Sequence, residues 1–286
     1  MSTLLVTGAS GFIGSPLSAA LGAEHEVIAM SRKRVDHPGV TYVSGDFGSF
    51  EDLGRLDHWK FDAVVHLGAV LGGATERDCM MVNGEGSRCL MRYLIDRGCS
   101  KFVMASSIGT VGNQSVEFRP DVLPIPDDHP CYDRDGYGFG KFIMEEVTKY
   151  YWRQNQDIDV INIRLSSVVP EEVPSRRPAG VRPLAIWSLG VITVMLLSDA
   201  IRAFSLAALA PQKAGVRIMN ATAARAWAAV PTADILQSWW GEEVDLSYYR
   251  LPGNELRSAY SVDLIEEELG FSAESTLNYL ENLRTT

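Results

Sequence analysis

A glycine-rich turn between an apolar strand and a helix, at the start of the chain, is the feature that most constrains the fold. Residues 4–6 are apolar and lead into the octapeptide TGASGFIG, in which Gly8, Gly11 and Gly14 are spaced GxxGxxG. The first glycine of such a turn permits a tight bend, the second lets the backbone approach a pyrophosphate, and the third lets the helix pack closely on the strand. Glycines also make ordinary turns, so it is the position at the first strand–helix unit that favours a nucleotide site.

Apolar runs alternate with helical patterns through the first half of the chain. Strands are predicted at residues 4–6, 26–30, 40–44, 63–67, 101–105 and 160–165, and helices at 14–21, 82–97 and 137–154. Several of the strands are continuous apolar runs, which is typical of a parallel sheet covered by helices on both faces. The alternation predicts an α/β fold with a doubly wound parallel sheet, a Rossmann fold.

The character of the sequence changes after Leu165. Residues 170–183 contain four prolines and three arginines, which indicates a loop that leaves the sheet. Helices are predicted near 199–209, 232–240, 261–269 and 273–284. We therefore expect residues 1–169 to form a dinucleotide-binding domain, with pieces of 184–240 returning to it. Residues 170–286 then form mainly a smaller, interleaved substrate-binding region.

The composition excludes several classes of protein. Of 286 residues, 46% are hydrophobic and 22% are charged, as in an ordinary globular chain. The formal charge of −10 argues against binding to nucleic acid or to anionic lipid, since both require a basic surface. The most membrane-like stretch, the sixteen uncharged residues 183–198, is too short to span a bilayer and favours a buried helix or pocket wall over a membrane contact.

The four cysteines indicate reduced thiols in a cytoplasmic protein. They are Cys79, Cys89, Cys99 and Cys131, and none belongs to a CxxC pair or has a histidine at zinc-ligand spacing. We therefore expect neither a disulfide framework nor a metal site.

Two further motifs carry candidate chemistry. Tyr137 and Lys141 are one helical turn apart in the sequence YGFGK, so they share a helix face. A fixed ammonium favours the phenolate and would lower the pKa of the tyrosine toward the working range. An incidental aromatic–lysine pair on a surface helix has the same spacing. Ser106 and Ser107 end a strand, at the edge of the sheet where ligands bind in this fold, and Ser106 is expected to have the lesser role.

These motifs, together with GDF at residues 45–47, HLGA at 66–69 and Asn83, occur in the order and spacing of one family. The chain resembles the extended short-chain dehydrogenases/reductases, the group of the sugar-nucleotide epimerases and dehydratases. The resemblance is strong over residues 1–170 and weaker at residues 257–261 and 269–271. HLGA departs from the usual HLAA, and we expect no consequence because glycine only adds room.

The resemblance implies roles for individual residues. Ser107 would polarise the reacting oxygen, Tyr137 would transfer the proton, and Lys141 would orient the ribose. The cofactor-binding residues that it implies, with the candidates that follow the second strand, are Gly8, Ser10, Gly11, Phe12, Ile13, Gly14, Ser31, Arg32, Asp46, Phe47, Leu67, Gly68, Ala69, Asn83, Tyr137 and Lys141.

The substrate side is less well marked. Residues 164–171 resemble the corresponding segment of uronate dehydrogenases, and that comparison places Ser167 and Arg176, beside Ser107, at substrate-contacting positions. Arg176 could equally belong to a solvated basic loop.

The residues that follow the second strand predict the choice between NAD and NADP. An NAD-dependent enzyme generally has Asp or Glu at this position to bind the ribose 2′-OH, whereas this chain has the neutral Ser31 followed by Arg32. An arginine here can pair with a 2′-phosphate and stack on adenine. We therefore expect NADP to be preferred over NAD, with Arg32 as the main contact. A solvated basic loop is the alternative, and Asp36 is a weaker candidate for the ribose.

The resulting hypothesis is an NAD(P)-dependent oxidoreductase that acts on a small sugar or sugar derivative. A sugar-nucleotide epimerase with tightly held cofactor and a non-catalytic NADP(H)-sensing protein are the alternatives. A dehydratase is disfavoured because Ile108 and Gly109 follow Ser107 where an acidic pair is expected. We also expect a homodimer formed through helices 82–97 and 138–154, unless their apolar residues all face the sheet. Those apolar residues are Leu90, Leu94, Phe142, Val147 and Tyr151.

Overall fold

The central sheet is parallel, and the order of its strands changes direction once within the sheet. The computed structural model describes residues 1–115, 117–171 and 189–273. Its strands are β1 (Thr3–Thr7), β2 (Glu26–Ser31), β3 (Val40–Ser44), β4 (Ala63–His66), β5 (Lys101–Ser107), β6 (Asp159–Leu165), β7 (Ser167–Val169), β8 (Val194–Leu196) and β9 (Gly215–Ala221). Seven of them form one parallel sheet in the order β3-β2-β1-β4-β5-β6-β9, while β7 and β8 pair separately. The order switches direction between β1 and β4, which is where doubly wound folds bind their ligands.

Helices cover both faces of this sheet. They are α1 (Gly14–Gly22), α2 (Phe50–Leu53), α3 (Glu76–Asp78), α4 (Ser87–Ile95), α5 (Gly136–Gln154), α6 (Leu197–Leu209), α7 (Thr232–Trp240) and α8 (Asp263–Leu269). One apolar core lies between the sheet and α1, α6 and α8, and a second lies between the sheet and α4 and α5. Because strands β1, β4 and β5 bury nearly every residue between these layers, each contains a continuous apolar run in the sequence. The predicted doubly wound fold is confirmed.

The helix predicted at residues 82–97 differs from the observed one. It starts six residues earlier, at Glu76, and Cys79–Gly86 are wound as a π-helix between α3 and α4. Glycines explain how closely this segment lies against α5. A Cβ at Gly84 would lie 2.7 Å from Ile143 Cγ2, and a Cβ at Gly140 would lie 2.6 Å from the Cys79 carbonyl oxygen.

The second half of the chain contributes to the sheet as well as to a separate cluster. Strand β9, which the sequence patterns did not predict, pairs with β6 along its whole length, and α6 packs against α1. A third apolar cluster joins α7 to the segment that follows β5, through residues that include Ile108, Leu236 and Tyr260. The helix predicted at 273–284 lies outside the described residues apart from its first position. Within the described ranges, no helix has the length and apolarity needed to cross a membrane.

Candidate active site

The glycine-rich turn forms one wall of a cavity at the carboxyl end of β1. Gly8 has a φ of +66°, and a Cβ there would lie 2.6 Å from Gly68 N. A Cβ at Gly14 would lie 2.9 Å from the Ala9 Cα, so the start of α1 can approach β1 only through a glycine. No side chain caps the amino terminus of α1 with a hydrogen bond, and an uncapped helix start of this kind can bind an anion.

This cavity has a volume of about 330 Å³, and we refer to it as the cofactor cavity. The predicted cofactor residues that line it are Gly8, Gly11, Phe12, Ile13, Gly14, Leu67, Ala69, Tyr137 and Lys141. The fold therefore brings together residues from the first turn, the end of β4 and helix α5. Seven other predicted cofactor residues do not line it: Ser10, Ser31, Arg32, Asp46, Phe47, Gly68 and Asn83.

Gly68 has a structural role that the sequence comparison missed. A Cβ at Gly68 would lie 2.8 Å from Phe47 Cδ1, and one at Gly86 would lie 2.6 Å from Phe47 Cε2. The Phe47 ring is thus held between two glycines, and its centroid lies 4.7 Å from that of the His66 ring. The expectation that glycine only adds room here was wrong, because the larger Phe47 side chain fills that room.

Asn83 acts on a neighbouring loop. It is fully buried in the π-helical segment, and its side-chain amide bonds both backbone groups of Val70. Val70 N donates to Asn83 Oδ1 at 2.9 Å, and Asn83 Nδ2 donates to the Val70 carbonyl oxygen at 3.1 Å. Leu67, Ala69 and Leu71 of the same loop line the cofactor cavity, so Asn83 shapes the cavity through the loop.

The residues after β2 form a tight, basic turn. Ser31 is buried, and its hydroxyl donates to the Lys33 carbonyl oxygen at 2.6 Å. Arg32 is exposed. The serine therefore stabilises the turn, and the guanidinium faces solvent next to the carboxyl edge of the sheet.

His66 is a buried core residue. Its Nδ1 lies 2.6 Å from Thr7 Oγ1, and its Nε2 lies 3.0 Å from Ser87 Oγ. Burial and the charge of Lys141 lower the pKa of His66 to about 3, so the imidazole is neutral at ordinary pH.

Ser107 and Tyr137 are brought together by the end of β5 and the first turn of α5. Asp135 caps this helix by accepting hydrogen bonds from the backbone N–H groups of Tyr137 and Gly138, both at 2.9 Å. The cap fixes the turn that carries Tyr137, whose side chain lies close to that of Ser107 at the edge of the cofactor cavity. Ser107 Oγ accepts from Gly109 N at 3.0 Å, which sets its rotamer.

The ionisation of this pair differs from the expectation. Burial raises the pKa of Tyr137, and the nearby Ser107 hydroxyl opposes the rise. Lys141 is not positioned to lower it, because its ammonium donates to the Ala105 carbonyl oxygen at 2.6 Å. Burial lowers the pKa of Lys141 itself to about 8, and the Glu145 carboxylate one turn away partly counters this.

A buried ion pair lies behind Lys141. The Arg164 guanidinium binds the Glu145 carboxylate through two hydrogen bonds of 2.9 and 2.8 Å, and both side chains are at most 3% exposed. Ser106 donates to the same carboxylate at 2.6 Å, in keeping with its lesser role. Arg164 also donates to the Asp127 carbonyl oxygen at 3.1 Å. The network thereby joins β5, α5, β6 and the segment that precedes Asp135.

A second cavity, of about 400 Å³, adjoins the first and is named here the substrate cavity. Residues that line both cavities are Leu71, Ser107, Tyr137, Leu165 and Ser166. The candidate catalytic pair therefore stands where the two meet. Ser167, predicted to contact substrate, lines the second cavity, and its hydroxyl donates to the Gly190 carbonyl oxygen at 3.3 Å. Arg176 lies outside the described residues.

Sequence reasoning missed several residues at this site. Asn113, Gln114, Gly190 and Val191 line the substrate cavity, and Glu145 supports Lys141 from behind. Of these residues, only Glu145 could have been predicted from the sequence, since it lies one turn beyond Lys141 on the same helix face. Residues 190 and 191 belong to the uncharged stretch 183–198, which the sequence analysis interpreted as a buried helix or pocket wall. For these two positions the pocket wall is correct.

A comparison with family models matches residues 4–206 to the NAD dependent epimerase/dehydratase family. The chain belongs to this family. The match covers the glycine-rich turn, Ser107, the YGFGK motif and the strand that ends at Leu165. The resemblance to the extended short-chain dehydrogenases/reductases is thereby confirmed.

Curated relatives within the family are distant. A UDP-glucose 4-epimerase of Azospirillum brasilense is 26% identical over an alignment covering 94% of this chain and 86% of that protein. A putative UDP-glucose 4-epimerase of Methanocaldococcus jannaschii is also 26% identical, over 62% of this chain and 60% of its own length. This chain therefore spans only about three fifths of the second relative.

Solved structures share the fold over nearly the whole chain. A short-chain dehydrogenase/reductase superfamily protein of Agrobacterium tumefaciens, solved with NAD bound, superposes with a TM-score of 0.72 at 22% identity, over 99% of this chain and 96% of that one. A glucuronic acid dehydrogenase of Chromohalobacter salexigens superposes with a TM-score of 0.70 at 21% identity, over 100% of this chain and 89% of that one. At these identities the likeness shows the fold alone.

Proposed function

We propose that this member of the family is an oxidoreductase that transfers hydride between a nicotinamide cofactor and a carbonyl or hydroxyl group of a sugar or sugar derivative. The observation that carries the proposal is the position of Ser107 and Tyr137 at the junction of two cavities. One cavity is bounded by the phosphate-type glycine turn, and the other is bounded by uncharged polar and apolar side chains.

The residues of the first cavity fit a dinucleotide. Side chains at Gly8 and Gly14 would collide with the backbone, so only glycines allow the tight turn at the start of α1 on which a pyrophosphate would lie. Lys141 lines the same cavity and would hold the nicotinamide ribose. When bound, the cofactor supplies or accepts the hydride.

Two residues of the chain, Tyr137 and Ser107, carry out the proton transfer that accompanies hydride transfer. In the reductive direction Tyr137 donates its phenolic proton to the substrate oxygen, while the Ser107 hydroxyl donates a hydrogen bond to that oxygen. In the oxidative direction Tyr137 accepts the proton instead. Lys141 takes no direct part in this proton transfer, because its ammonium donates to the Ala105 carbonyl oxygen, and its proposed role is to orient the nicotinamide ribose.

A panel of substrates tests this function. We expect a change in nicotinamide absorbance with at least one of UDP-glucose, UDP-galactose, D-glucuronate and D-galacturonate. The panel follows the similarity of this chain to a UDP-glucose 4-epimerase and to a glucuronic acid dehydrogenase. Tyr137→Phe should remove the signal while the affinity for the cofactor is retained. Absence of turnover with intact cofactor binding would favour the non-catalytic sensing alternative.

An epimerase is the second candidate, supported by the 4-epimerases among the relatives. An epimerase would interconvert UDP-glucose and UDP-galactose without net change in free cofactor. Chromatography of the sugar nucleotides, beside the absorbance assay, separates the two activities.

For the cofactor we propose NADP over NAD, on the strength of the neutral Ser31 and the exposed Arg32. The wild type should have the higher kcat/KM with NADP, and Arg32→Ala should lower that value while leaving the NAD value nearly unchanged. Lys33→Ala, one position further along the same turn, is the matched control. A wild-type preference for NAD would contradict the assignment.

Assembly and organisation complete the proposal. We propose a cytoplasmic homodimer, with a dinucleotide-binding part at 1–169 and a mainly substrate-binding part at 170–286. Of the apolar residues expected at the interface, Leu90, Leu94 and Tyr151 are buried within the chain. Other apolar side chains on the same helices are exposed and support a contact: Met80, Met81, Phe139 and Tyr150. Light scattering at micromolar concentration, with Met81→Glu as the disrupting variant, tests the dimer.

A further inference from the structure

The side chain of Gln114 extends into a space beside Ser107 and Tyr137 that a glycine leaves open. Gly109 follows Ser107 by two positions and has no side chain of its own. A Cβ at Gly109 would lie 3.0 Å from Gln114 Nε2. The same point is 3.1 Å from Ser107 Oγ and 3.7 Å from Tyr137 Cε1. The Gln114 amide therefore lies next to both groups that we assign to the proton transfer.

The backbone on either side of Gln114 is fixed by hydrogen bonds. Gly112, which has a φ of +95°, donates from its N–H to the Gly109 carbonyl oxygen at 3.0 Å and closes the turn that follows β5. The Asn113 carbonyl oxygen accepts a hydrogen bond of 3.1 Å from Leu189 N. These contacts determine the point at which the Gln114 side chain leaves the main chain.

The amide of Gln114 is available to a ligand. Gln114 is exposed, and it lines the substrate cavity together with Ser107 and Tyr137. Among the residues that the structure describes, none forms a hydrogen bond with the Gln114 side chain. A primary amide has two donors on its nitrogen and an acceptor on its oxygen, so it suits a hydroxyl group, which also donates and accepts.

The surroundings of this amide indicate which substrate oxygen it meets. The described residues that line the substrate cavity are uncharged, so they favour a neutral, polar part of a ligand. A carbonyl oxygen has two lone pairs, and Ser107 and Tyr137 use both of them in the proposed reaction. The amide beside them is then left for the next oxygen of the substrate, which is carried by a carbon adjoining the reacting carbon.

We propose that Gln114 is a specificity-determining residue, whose side-chain amide forms a hydrogen bond with a hydroxyl group on a carbon next to the reacting carbon. Gly109 makes this contact possible, because it leaves room for the amide beside Ser107. The inference deepens the proposed function, on which it rests. It assigns the site to substrates with neighbouring oxygens, an α-hydroxy carbonyl in the oxidised form and a vicinal diol in the reduced form.

Monodeoxy sugars test this contact. The probes are UDP-glucose, UDP-galactose, D-glucuronate and D-galacturonate, each with its 2-, 3- and 4-deoxy forms. For the wild type we expect one deoxy position next to the reacting carbon to lower kcat/KM by about 10-fold. In Gln114→Leu the ratio between the parent sugar and that deoxy form should fall below about 2-fold, since leucine forms no hydrogen bond. The change should come from a slower reaction of the parent sugar.

Gln212→Leu is the matched control. It makes the same substitution at an exposed glutamine that precedes β9 and lines neither cavity. The Gln212 side chain accepts from Ser100 Oγ at 3.2 Å and donates to the Asp157 carbonyl oxygen at 3.1 Å, so this variant also loses polar contacts. Its ratio between parent and deoxy sugar should equal that of the wild type. Thermal melting and cofactor binding, measured for every variant, identify any that fails to fold.

Gly109→Ala tests the contact from the other side. Its methyl group would press on the Gln114 amide, so this variant should also lose the preference for the parent sugar. Adding Gln114→Leu to Gly109→Ala should lower the ratio no further, because both changes remove the same hydrogen bond.

Binding measurements separate failure of this inference from failure of the proposed function. Saturation-transfer NMR on the protein with its cofactor reports affinity for the same sugars without turnover. If sugars bind but no hydride is transferred, the proposed function fails, while the ratio of affinities for parent and deoxy sugar still tests Gln114. If hydride is transferred but Gln114→Leu and Gly109→Ala keep the wild-type ratio, only this inference is overturned. A wild type that binds none of the sugars, or that does not distinguish any deoxy form from its parent, overturns it as well.

Discussion

The two cavities that meet at Tyr137 are built in different ways. The cofactor cavity is bounded on one side by the backbone of a single local turn, whose key positions are glycines that admit no side chain. The substrate cavity is assembled from segments far apart in the chain, around residues 71, 109, 166 and 190. A backbone-lined site tolerates little variation, whereas a side-chain-lined site can change its ligand by substitution without disturbing the fold.

This difference predicts which measured quantity each substitution should alter. Changes on the cofactor side should alter stability or cofactor affinity. Changes on the substrate side should alter the choice of sugar. Tyr137 and Ser107 belong to both sides, so their replacement should affect turnover with any substrate.

The largest effect is expected for Tyr137→Phe. The phenyl ring keeps the packing of α5 but has no proton to transfer, so kcat should fall by about 10²- to 10⁴-fold. Cofactor affinity, followed by quenching of protein fluorescence, should change by less than about 2-fold, since only one hydroxyl is removed. Phe139→Leu, at an exposed position on the same helix, is the control. A variant that retains a tenth of the wild-type kcat would contradict the role of Tyr137.

Glu145→Gln should give the next largest effect. It leaves Arg164 buried without its carboxylate, which costs about 3–5 kcal/mol in the free energy of unfolding. It also removes the charge that raises the pKa of Lys141, so that pKa should fall further below about 8. Activity that needs the ammonium should then decline at a lower pH than in the wild type.

Ser106→Ala serves as the control for that experiment. It deletes a hydrogen bond to the same carboxylate without changing any charge. Its pH–rate profile should therefore match the wild type, although it too is less stable. Identical alkaline limbs for wild type and Glu145→Gln would show that Glu145 is only structural.

Gly68→Ala tests the cofactor side away from the catalytic pair. The new methyl group would press on the Phe47 ring, and overpacking of this kind costs about 1–3 kcal/mol. Phe47→Leu should relieve the strain, so the double variant should be more stable than the two single effects predict. Equal stability of wild type and Gly68→Ala would mean that Phe47 moves aside freely. The sugar preference should be the same in all four proteins.

The smallest expected effect is a loss of folding stability at acid pH that is due to His66, which contacts Thr7 just before the glycine turn. The pKa of His66 is about 3 in the folded chain and 6.5 when unfolded, so the unfolded state takes up its proton first as the pH falls. The part of the folding stability that depends on a neutral His66 is complete above pH 6.5 and is lost as the pH falls toward 3. Between pH 6.5 and 5.5 the loss should be about 1 kcal/mol, before the carboxylates titrate.

Chemical denaturation at several pH values measures this change in the free energy of unfolding. His66→Asn should be less stable at pH 7 but nearly flat over that interval, while His58→Asn, an exposed control, should follow the wild type. A wild-type curve without slope between pH 6.5 and 5.5 would contradict the assigned pKa.

How far the sequence could predict the site depended on the range of each interaction. The glycine turn and the Tyr137–Lys141 spacing are local patterns, and both lead to residues that line the cofactor cavity. The contact of Lys141 with Ala105 spans 36 residues, and that of Arg164 with Glu145 spans 19. No local pattern indicates such pairings, so the direction of the pKa shift of Tyr137 was predicted wrongly.

The sequence by itself determined the order of strands and helices in the first half of the chain and the residues of the first turn, because these follow from apolar periodicity and from the steric needs of single residues. The order and spacing of its motifs carried the resemblance to the family. Only the tertiary structure decided that Phe47 occupies the space at Gly68, that Asn83 holds Val70, and that β9 completes the sheet. Each of these depends on which distant segments touch. Side-chain packing settles that question, and it requires the three-dimensional arrangement of the whole chain.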